Sequence, residues 1–370
     1  MEKLWKYKKI GEVCIVERGA SPRPIDKYIT DNESGINWIK IGDTSDSMYI
    51  TETAQKIIVE GMKKSRYVKP GDFLLSNSMS FGRPYILKID GCIHDGWLVL
   101  RDENALFDKR FLYYYLSSKT TYKKLKSMAV GGVVNNLNSE MVRNVIVPVP
   151  DKEEQSEIAD LFDKIKKILD NRKQELEQLD TLVKSRFVEM FGDSKINPNN
   201  YPICQLSEYI NFLTSGSRGW AKYCIDSGRE WFITIKNVKD CNISVDNMQS
   251  INAPDNAEAK RTKVQEGDLL ISITADLGRT GVITKEIAEH GAYINQHLTR
   301  ICLNQAILNP LYVAYFMETP AGKEQFESKN QSAVKAGLNF NSINSLKIMI
   351  PPMDVQNKFV AFVNQVNKSK

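Results

Sequence analysis

Residues 71–87, GDFLLSNSMSFGRPYIL, and residues 267–283, GDLLISITADLGRTGVI, share one pattern of residue types. Each segment has Gly-Asp, an apolar run, a polar stretch, Gly-Arg and a second apolar run. Short apolar runs bounded by turn-forming residues predict β-strands. The second copy begins 196 positions after the first (267 − 71), so the chain specifies the same local fold twice and changes its middle.

The repeat extends over nearly the whole chain. WIKIGD at residue 38 matches FITIKN at residue 232, and GCIHDGWLVLR at 91 matches GAYINQHLTRI at 291. Each copy closes on a proline-containing segment, VPVPDKEEQ in the first and IPPMDVQ in the second. Repeats of about 20 to 50 residues build solenoids, whereas a period of about 195 residues indicates a duplicated domain. The varied interior suggests two related tasks on two different targets.

The composition is that of a globular protein with a mildly basic charge. The 370 residues are 42% hydrophobic and 26% charged, with a formal net charge of +5. This charge permits a nucleic-acid partner without requiring one. The sequence shows no signal-like apolar run, no segment of membrane-spanning length, and no metal-ligand spacing among its six cysteines. We therefore expect a cytoplasmic protein with reduced thiols, without a metal site or a membrane partner.

Each copy mixes short strands with helices. The segments NWIKIG, GDFLLS, PYILKI and GWLVLR predict strands in the first copy, and EWFITIK, GDLLISI, TGVITKE and HLTRICL predict them in the second. Residues 151–191 predict one helix of about 41 residues, and an apolar residue every seventh position favours a coiled coil over a long core helix. The predicted coil positions are Phe162, Leu169, Leu176, Val183 and Met190 in this helix and Phe359, Phe362 and Val366 in a shorter closing helix.

The duplicated Gly-Asp element, the two proline-containing closures and the alternation of domain and helix resemble the specificity (S) subunit of Type I restriction-modification enzymes. The resemblance covers essentially the whole chain. It implies an α+β fold with two tandem mixed α/β target recognition domains, at 1–150 and 193–353. It also implies a helix after each domain, at 151–192 and 354–370, and pairing of the two helices as an antiparallel coiled coil. The closing helix is short for this pattern.

The resemblance also implies a function. Each domain would recognise one half of a split, asymmetric site on double-stranded DNA, and the chain would recruit methyltransferase (M) subunits and restriction/translocase (R) subunits. The chain itself would be non-catalytic and would hold no cofactor. S-adenosylmethionine, ATP and Mg²⁺ would bind to the partner subunits.

Polar and basic residues in the varied loops are the candidates for DNA contact. Arginine can contact guanine through two hydrogen bonds, and lysine or serine can bind phosphate. Arg83 and Arg279 occur in both copies, so a structural role is an alternative for them. The candidates are Arg18, Ser21, Arg23, Lys27, Asn77, Ser78, Arg83, Asn135 and Asn136 in the first copy, and Ser217, Arg218, Trp220, Lys222, Thr274, Arg279, Lys335 and Asn339 in the second.

Enzymatic functions find little support in the sequence. No strand leads into a Gly-rich cofactor loop, and the carboxylates of PDNAEAK at residue 254 are too close together for a nuclease core. His94-Asp95 lacks a serine or cysteine partner, which favours a structural histidine. The remaining alternative is a non-catalytic adaptor that recognises proteins through two domains on a helical rod. A strong salt dependence of DNA binding would distinguish the DNA-binding hypothesis from the adaptor.

Overall fold

The computed structural model describes residues 5–77, 82–129, 136–330 and 337–370, and it divides into two compact units. Unit 1 comprises residues 1–171 and unit 2 comprises residues 172–370. A single helix contributes residues to both units. Each unit is a mixed α/β fold built on small sheets.

Unit 1 carries twelve strands and five α-helices among its described residues. The strands are β1 (Lys6–Lys9), β2 (Ile15–Arg18), β3 (Ile29–Thr30), β4 (Ile36–Ile39), β5 (Tyr49–Ile50), β6 (Lys56–Ile57), β7 (Arg66–Val68), β8 (Phe73–Ser76), β9 (Pro84–Leu87), β10 (Gly91–Ile93), β11 (Trp97–Arg101) and β12 (Ile146–Val149). The helices are α1 (Ile10–Val13), α2 (Val59–Met62), α3 (Lys109–Ser117), α4 (Lys119–Ala129) and α5 (Ser139–Arg143). The sheets have the strand orders β2-β11-β8-β9-β5, β3-β6-β4-β10-β7 and β1-β12.

The long helix α6 (Lys152–Phe191) has 40 residues, which corresponds to about 60 Å at 1.5 Å per residue. Asp151 precedes the helix, and its Oδ1 accepts a hydrogen bond from the Glu154 N–H at 2.9 Å. This carboxylate satisfies one of the N–H groups that a helix start leaves unpaired. The predicted long helix is therefore confirmed, with Asp151 as its capping residue.

Unit 2 repeats the arrangement with eleven strands and six further helices in its described part. The strands are β13 (Ile203–Gln205), β14 (Ile210–Ser215), β15 (Glu230–Ile233), β16 (Val238–Lys239), β17 (Asn242–Ile243), β18 (Gln249–Ile251), β19 (Leu269–Ser272), β20 (Thr280–Val282), β21 (Ala292–Ile294), β22 (Leu298–Leu303) and β23 (Lys347–Met349). The helices are α7 (Ala257–Thr262), α8 (Lys285–His290), α9 (Pro310–Met317), α10 (Pro320–Ser328), α11 (Phe340–Asn344) and α12 (Met353–Ser369). The sheets have the orders β14-β22-β19-β20, β18-β15-β21, β13-β23 and β16-β17.

The Gly-Asp segments form equivalent antiparallel pairs, β8 with β9 and β19 with β20. Gly71 and Gly267 adopt φ values of +88° and +78°, a conformation that glycine tolerates better than other residues. Each glycine donates its N–H to the end of the partner strand, at Leu87 and Ile283. The opening repeat is therefore a strand pair that begins at a glycine-dependent turn.

In each unit a buried glutamine near the start of the long or closing helix forms hydrogen bonds with the domain that precedes the helix. In unit 1 the Gln155 Oε1 accepts from the Asp108 N–H at 2.8 Å, just before α3, while its amide donates to the carbonyls of Leu106 and Pro150. In unit 2 the Gln356 Oε1 accepts from the Asn309 N–H at 2.9 Å, just before α9. Its amide donates to the carbonyls of Ile307 and Pro351. The glutamine at the end of each closure motif therefore has the same three hydrogen bonds in both units.

The predicted seven-residue row of α6 is not buried along its whole length. Val183 is buried in the core of unit 2, whereas Leu169 is 64% exposed. Phe162 is also exposed, although its ring stacks on Tyr114 at 5.0 Å between centroids. Among the other predicted coil positions, Phe359 and Val366 are buried and Leu176, Met190 and Phe362 are half-buried.

The buried face of α6 in unit 2 follows a spacing of four residues, Val183, Phe187 and Phe191. This spacing follows the 3.6-residue period of a single helix packed on a globular core. The Phe187 ring lies 5.3 Å from that of Phe359 in α12 and 5.9 Å from that of Tyr312 in α9. The sequence interpretation did not include Phe187 or Phe191, which anchor the helix in unit 2.

Candidate nucleic-acid interface

Each unit presents a three-residue turn between two strands, residues 94–96 in unit 1 and residues 295–297 in unit 2. The 94–96 turn joins β10 to β11, and the 295–297 turn joins β21 to β22. In both units the preceding strand pairs in parallel with the strand that carries the WIKIGD or FITIKN segment. The two turns therefore occupy equivalent positions in the repeated fold.

Five backbone hydrogen bonds hold the 94–96 turn, and five equivalent bonds hold the 295–297 turn. In unit 1 they run from His94 N to Ile39 O (3.3 Å), Trp97 N to His94 O (3.1 Å), Gly19 N to Trp97 O (2.9 Å), Ala20 N to Ile93 O (3.2 Å) and Asn77 N to Gly96 O (2.9 Å). In unit 2 they run from Asn295 N to Ile233 O (3.0 Å), Leu298 N to Asn295 O (3.0 Å), Gly216 N to Leu298 O (3.0 Å), Ser217 N to Ile294 O (2.9 Å) and Ile273 N to His297 O (2.9 Å). The backbone is thus the same in both units, while every side chain of the turn differs.

Four of the predicted DNA-contact residues converge on Asp95 in the 94–96 turn. Ser21 donates from Oγ to the Asp95 Oδ1 at 2.9 Å, and the Arg23 Nη2 lies 3.4 Å from Oδ2. Arg18 and Asn77 donate to the Asp95 main-chain carbonyl at 3.0 and 2.8 Å. The loop after β2 and the segment after β8 therefore meet at Asp95, a residue that the sequence interpretation did not include among the DNA-contact residues.

The Asp95 carboxyl group remains ionised at neutral pH. Burial raises its pKa, but the hydrogen bond from Ser21 and the nearby positive charge of Arg18 outweigh that effect and hold the pKa below its ordinary value. The side chain is 43% exposed, and the paired Arg23 side chain is 81% exposed. Both side chains line an open cleft of about 630 Å³ together with Ser21, Trp38 and His94.

The His94 side chain stabilises the 94–96 turn through a hydrogen bond. Its Nδ1 accepts a hydrogen bond from the Gly96 N–H at 2.6 Å. Burial lowers the pKa of His94 below its ordinary value of 6.5, although the charge of Asp95 acts in the opposite direction. The imidazole is therefore neutral at physiological pH, in agreement with the expected structural role.

The Gly-Arg dipeptides stabilise the connections after β8 and β19 through their main chains. The Arg83 N–H donates to the Ser76 Oγ, and the Arg279 N–H donates to the Ser272 Oγ, each at 2.9 Å. Their guanidinium groups have different partners, since Arg83 lies 3.7 Å from Asp46 and Arg279 pairs with Asp276. The arginine backbone is thus the shared structural feature, and both guanidinium groups retain solvent contact.

The candidates in unit 2 divide into exposed and buried residues. Arg218 and Lys222 are exposed in the loop after β14. Trp220 is only 3% exposed, and its Nε1 donates to the Glu258 Oε2 at 3.0 Å. Its indole ring packs against the aromatic rings of β15 and β21. Trp220 therefore has a packing role, and the prediction that it contacts DNA does not fit its burial.

Two other candidates of unit 2 make buried or half-buried side-chain contacts. The buried Ser217 hydroxyl lies 3.1 Å from the Thr262 Oγ1. The Thr274 Oγ1 lies 2.6 Å from the His297 Nδ1, which connects the segment after β19 to the 295–297 turn. Thr274 is therefore part of the same loop cluster as the turn, as Asn77 is in unit 1.

The remaining candidates have varied positions. Lys27 is exposed and Asn136 is half-buried. The Asn339 Oδ1 accepts from the Ser342 N–H at 2.8 Å and caps α11, and Asn138 caps α5 with the same bond to Met141. Asn138 is thus the structural counterpart of Asn339. Ser78, Asn135 and Lys335 lie outside the described residues.

The alignment of the two sequence copies is displaced by one residue at this turn, so it does not pair Asp95 with Gln296. Matching Gly91 with Gly291 pairs Asp95 with Asn295. In the structure Ile93 pairs with Ile39 and Ile294 pairs with Ile233, so Asp95 corresponds to Gln296. A search for the register in which the strands on both sides match would have found this correspondence.

Other chemistry has little support among the described residues. No group of three or more His, Cys, Asp or Glu residues within that part of the chain is placed to hold a metal ion. Burial raises the pKa of Cys14 to about 12 and that of Cys92 to about 11, so both thiols remain protonated. None of the helices in the described ranges is both long and apolar enough to cross a membrane.

The chain is thus a duplicated domain that carries different side chains on one repeated backbone turn. Comparison with known families identifies the class further. The family model for the Type I restriction modification DNA specificity domain matches residues 2–181 and 227–370. The chain belongs to this family.

Similar proteins of known sequence include two specificity subunits from Escherichia coli. The chain is 21% identical over 285 residues to the Type I restriction enzyme EcoBI specificity subunit of Escherichia coli, covering 70% of this chain and 59% of that protein. It is 23% identical over 348 residues to the EcoKI specificity subunit of Escherichia coli K12, covering 88% and 72% of the two chains. The match therefore spans less than two thirds of the EcoBI subunit.

Two solved structures have a similar fold. The Type I restriction-modification system S subunit from M. genitalium superposes with a TM-score of 0.54 and 14% identity, over 100% of this chain and 90% of that chain. A chain from a study of complex assembly and conformational transition of the type I R-M system superposes with a TM-score of 0.58 and 17% identity, over 99% and 90%. Both comparisons concern the fold alone.

Proposed function

We propose that this chain is the DNA-sequence specificity subunit of a Type I restriction-modification complex. Each unit recognises one half of a bipartite, asymmetric site on double-stranded DNA. The observation that carries the proposal is the pair of turns at 94–96 and 295–297, which combine one backbone arrangement with different side chains. Such a design keeps the docking geometry constant while it changes the groups that meet the bases, and membership of the DNA specificity family agrees with it.

The exposed basic residues beside the turns supply the contacts that are independent of sequence. Lys27 lies in the loop after β2, and Arg218 and Lys222 lie in the equivalent loop after β14. Contacts of arginine and lysine with phosphate position a protein on the duplex, whereas contacts with base edges determine the sequence that is bound. The proposal therefore assigns affinity to these three side chains and specificity to the turns.

The helices form the second part of the proposal. In unit 2 the Arg172 Nη2 donates to the carbonyls of Ser369 and Lys370 at 3.2 and 2.7 Å, while Phe191 packs against Phe359. These contacts run in opposite directions along α6 and α12, which supports an antiparallel coiled-coil pair. We propose recognition domains at 1–150 and 193–353 with helical segments at 151–192 and 354–370.

The proposed assembly places the chemistry on other subunits. The helices provide a docking surface for methyltransferase subunits, and the complex then recruits restriction/translocase subunits. S-adenosylmethionine, ATP and Mg²⁺ belong to those partners, and this chain is non-catalytic in a cytoplasmic complex. The raised pKa values of the buried Cys14 and Cys92 agree with the absence of a thiolate nucleophile at those two positions.

Selection from a random duplex library tests the proposal. The full chain, alone and co-expressed with its methyltransferase subunits, is incubated with the library, and the bound DNA is sequenced. We expect two short enriched sequences separated by a fixed, unspecified spacer. The logarithm of the affinity should fall steeply with the logarithm of the salt concentration, by about 0.9 for each phosphate contact. Failure to enrich any sequence, together with weak DNA binding at low salt, would support the protein adaptor instead.

A further inference from the structure

Position 95 of unit 1 and position 296 of unit 2 share one backbone environment but carry different chemistry. Each is the middle residue of its turn, held by the five hydrogen bonds described above. Asp95 has a carboxylate, which only accepts hydrogen bonds, whereas Gln296 has an amide, which donates and accepts. A difference at such a matched position changes what each unit can bind without changing its fold.

The Asp95 carboxylate is pre-positioned and has unused acceptor capacity. One oxygen accepts from the Ser21 hydroxyl at 2.9 Å, and the other lies at the longer distance of 3.4 Å from the Arg23 guanidinium. An ionised carboxylate offers about four lone-pair positions, so these two contacts leave room for a further donor. The lowered pKa keeps this acceptor charged at neutral pH.

A negative charge on a DNA-binding surface is unfavourable beside phosphates, unless it faces the donors on a base edge. In the major groove cytosine presents its N4 amino group as a donor, and the paired guanine presents O6 and N7 as acceptors. An acceptor next to an arginine donor therefore complements the edge of one C·G base pair. Asp95 and Arg23 form such a combination, and both side chains reach solvent.

We propose that Asp95 is a specificity-determining residue of unit 1, which accepts a hydrogen bond from cytosine N4 while Arg23 donates to the guanine of the same base pair. This inference rests on the proposed DNA-binding function. It assigns to Ser21 the role of a positioning residue, because the Ser21 hydroxyl orients the Asp95 carboxylate without itself contacting the base.

Gln296 provides the corresponding group in unit 2. A glutamine amide can make two hydrogen bonds to adenine, through N6 and N7. The Gln296 Oε1 is enclosed and has no hydrogen-bond partner among the described residues, and its Nε2 has only a 3.3 Å contact with the His297 ring. A buried acceptor without a partner is destabilising. Rotation of the side chain would bring this oxygen to the surface, where it can accept from adenine N6 while Nε2 donates to N7, so we assign an A·T pair to this position.

The test compares Asp95→Asn with the wild-type chain in the same library selection, in the presence of the methyltransferase subunits. We expect the preference for C·G at one position of one half-site to fall by about tenfold or more, with the other half-site unchanged. Asp26→Asn is the matched control, because it removes one negative charge from the lining of the same cleft and leaves Asp95 in place. The control should keep every base preference.

The outcomes separate this inference from the proposed function. Absence of sequence-selective binding by the wild-type chain would overturn the proposed function. Selective binding by a folded Asp95→Asn variant with unchanged preferences, or with a uniform loss of affinity for all sequences, would overturn the inference alone. If Asp95→Asn does not fold, Asp95→Gln places in unit 1 the side chain that unit 2 carries on the same backbone. That variant should shift the preference towards A·T, and retention of C·G would contradict the assignment.

Discussion

Asp268 and Arg300 form a buried ion pair in unit 2, with the Arg300 Nε 2.5 Å from the Asp268 Oδ2 and side chains only 2% and 6% exposed. The same carboxylate oxygen accepts from the Gln265 N–H, which closes the turn before β19. In unit 1 the aspartate of the Gly-Asp repeat, Asp72, pairs with Arg101, which lies at a different strand position, and this pair is longer at 3.4 Å and more exposed. The aspartate of each Gly-Asp repeat therefore has a structural role at the start of its strand.

Replacement of Asp268 by asparagine should destabilise the protein strongly. The change leaves Arg300 buried without its counter-charge, and such losses are typically about 3–5 kcal/mol. Asp72→Asn is the matched variant in unit 1 and should cost less, because Arg101 also pairs with Glu17. Urea unfolding followed by circular dichroism measures both changes. Equal losses in the two variants would contradict the distinction between the buried and the exposed pair.

Replacement of Gln155 by alanine should loosen the attachment of α6 to unit 1. The variant leaves two buried carbonyls and the Asp108 N–H without their side-chain partner, and each such group costs about 1–3 kcal/mol. Gln356→Ala should have a similar effect in unit 2. The exposed Gln174 on the same long helix provides the control, and its alanine variant should unfold like the wild type. Thermal unfolding of the three variants makes the comparison.

The free energy of unfolding should depend on pH in part through the protonation of His94. The folded protein lowers the pKa of His94, so below about pH 6.5 the unfolded chain binds the proton more readily and the folded state loses stability. One group can contribute at most about 1.4 kcal/mol per pH unit. The loss sets in as the pH falls below 6.5 and ends below the folded pKa.

His94→Asn is the variant that isolates this component. Unit 2 carries Asn295 at the same position, where its Oδ1 accepts from the His297 N–H at 3.2 Å, so asparagine can preserve the turn. The free energy of unfolding of wild type and variant should differ by an amount that changes between pH 8 and pH 5. Parallel stability curves across this range would exclude a contribution from His94.

Two substitutions on α6 should have unequal effects on the isolated chain. Phe187→Ala removes a ring that is buried among Phe191, Tyr312 and Phe359, and should cost about 3–5 kcal/mol. Leu169→Ala changes an exposed side chain and should alter stability by no more than about 0.5 kcal/mol. Chemical unfolding of both variants without partner subunits is the measurement. A large loss for Leu169→Ala would mean that this residue is packed in the isolated chain.

Exchange of residues 1–150 for the matching segment of another specificity subunit should alter only one half of the recognised sequence. The physical reason is that the turn at 94–96 and its hydrogen-bond partners all lie within the exchanged segment. Exchange of residues 193–353 should alter only the other half. Sequencing of the methylated sites produced by each hybrid, with methyltransferase subunits present, tests this. Changes in both halves from one exchange would argue against independent recognition.

Much of the fold was accessible from sequence because its signals are local. The eight predicted strands are present, and the long helix begins within a residue of its expected start. The segment after Asp108 forms two helices, because Ser118 adopts an extended conformation between α3 and α4. The seven-residue pattern did not include Phe187 and Phe191, because the core of unit 2, rather than a second long helix, covers that face of α6.

The candidate interface was only partly accessible. The sequence indicated the loops after β2 and β8 as DNA-contact segments, and the structure brings Arg18, Ser21, Arg23 and Asn77 to Asp95. Their contact with DNA stays a prediction. It did not indicate Asp95 itself. Trp220 illustrates the opposite error, because its position in a polar loop suggests exposure whereas its ring fills an aromatic core.

The sequence by itself determined the duplication, the residue types of the strands, the long helix and the resemblance to a specificity subunit. These features depend on periodicity and on neighbours along the chain, which a linear pattern records. The tertiary structure decided which residues of the loops meet, that Asp95 corresponds to Gln296, and which parts of α6 are buried. These features depend on hydrogen bonds and packing between segments far apart in sequence, and a one-residue shift in register changes which side chains are brought together.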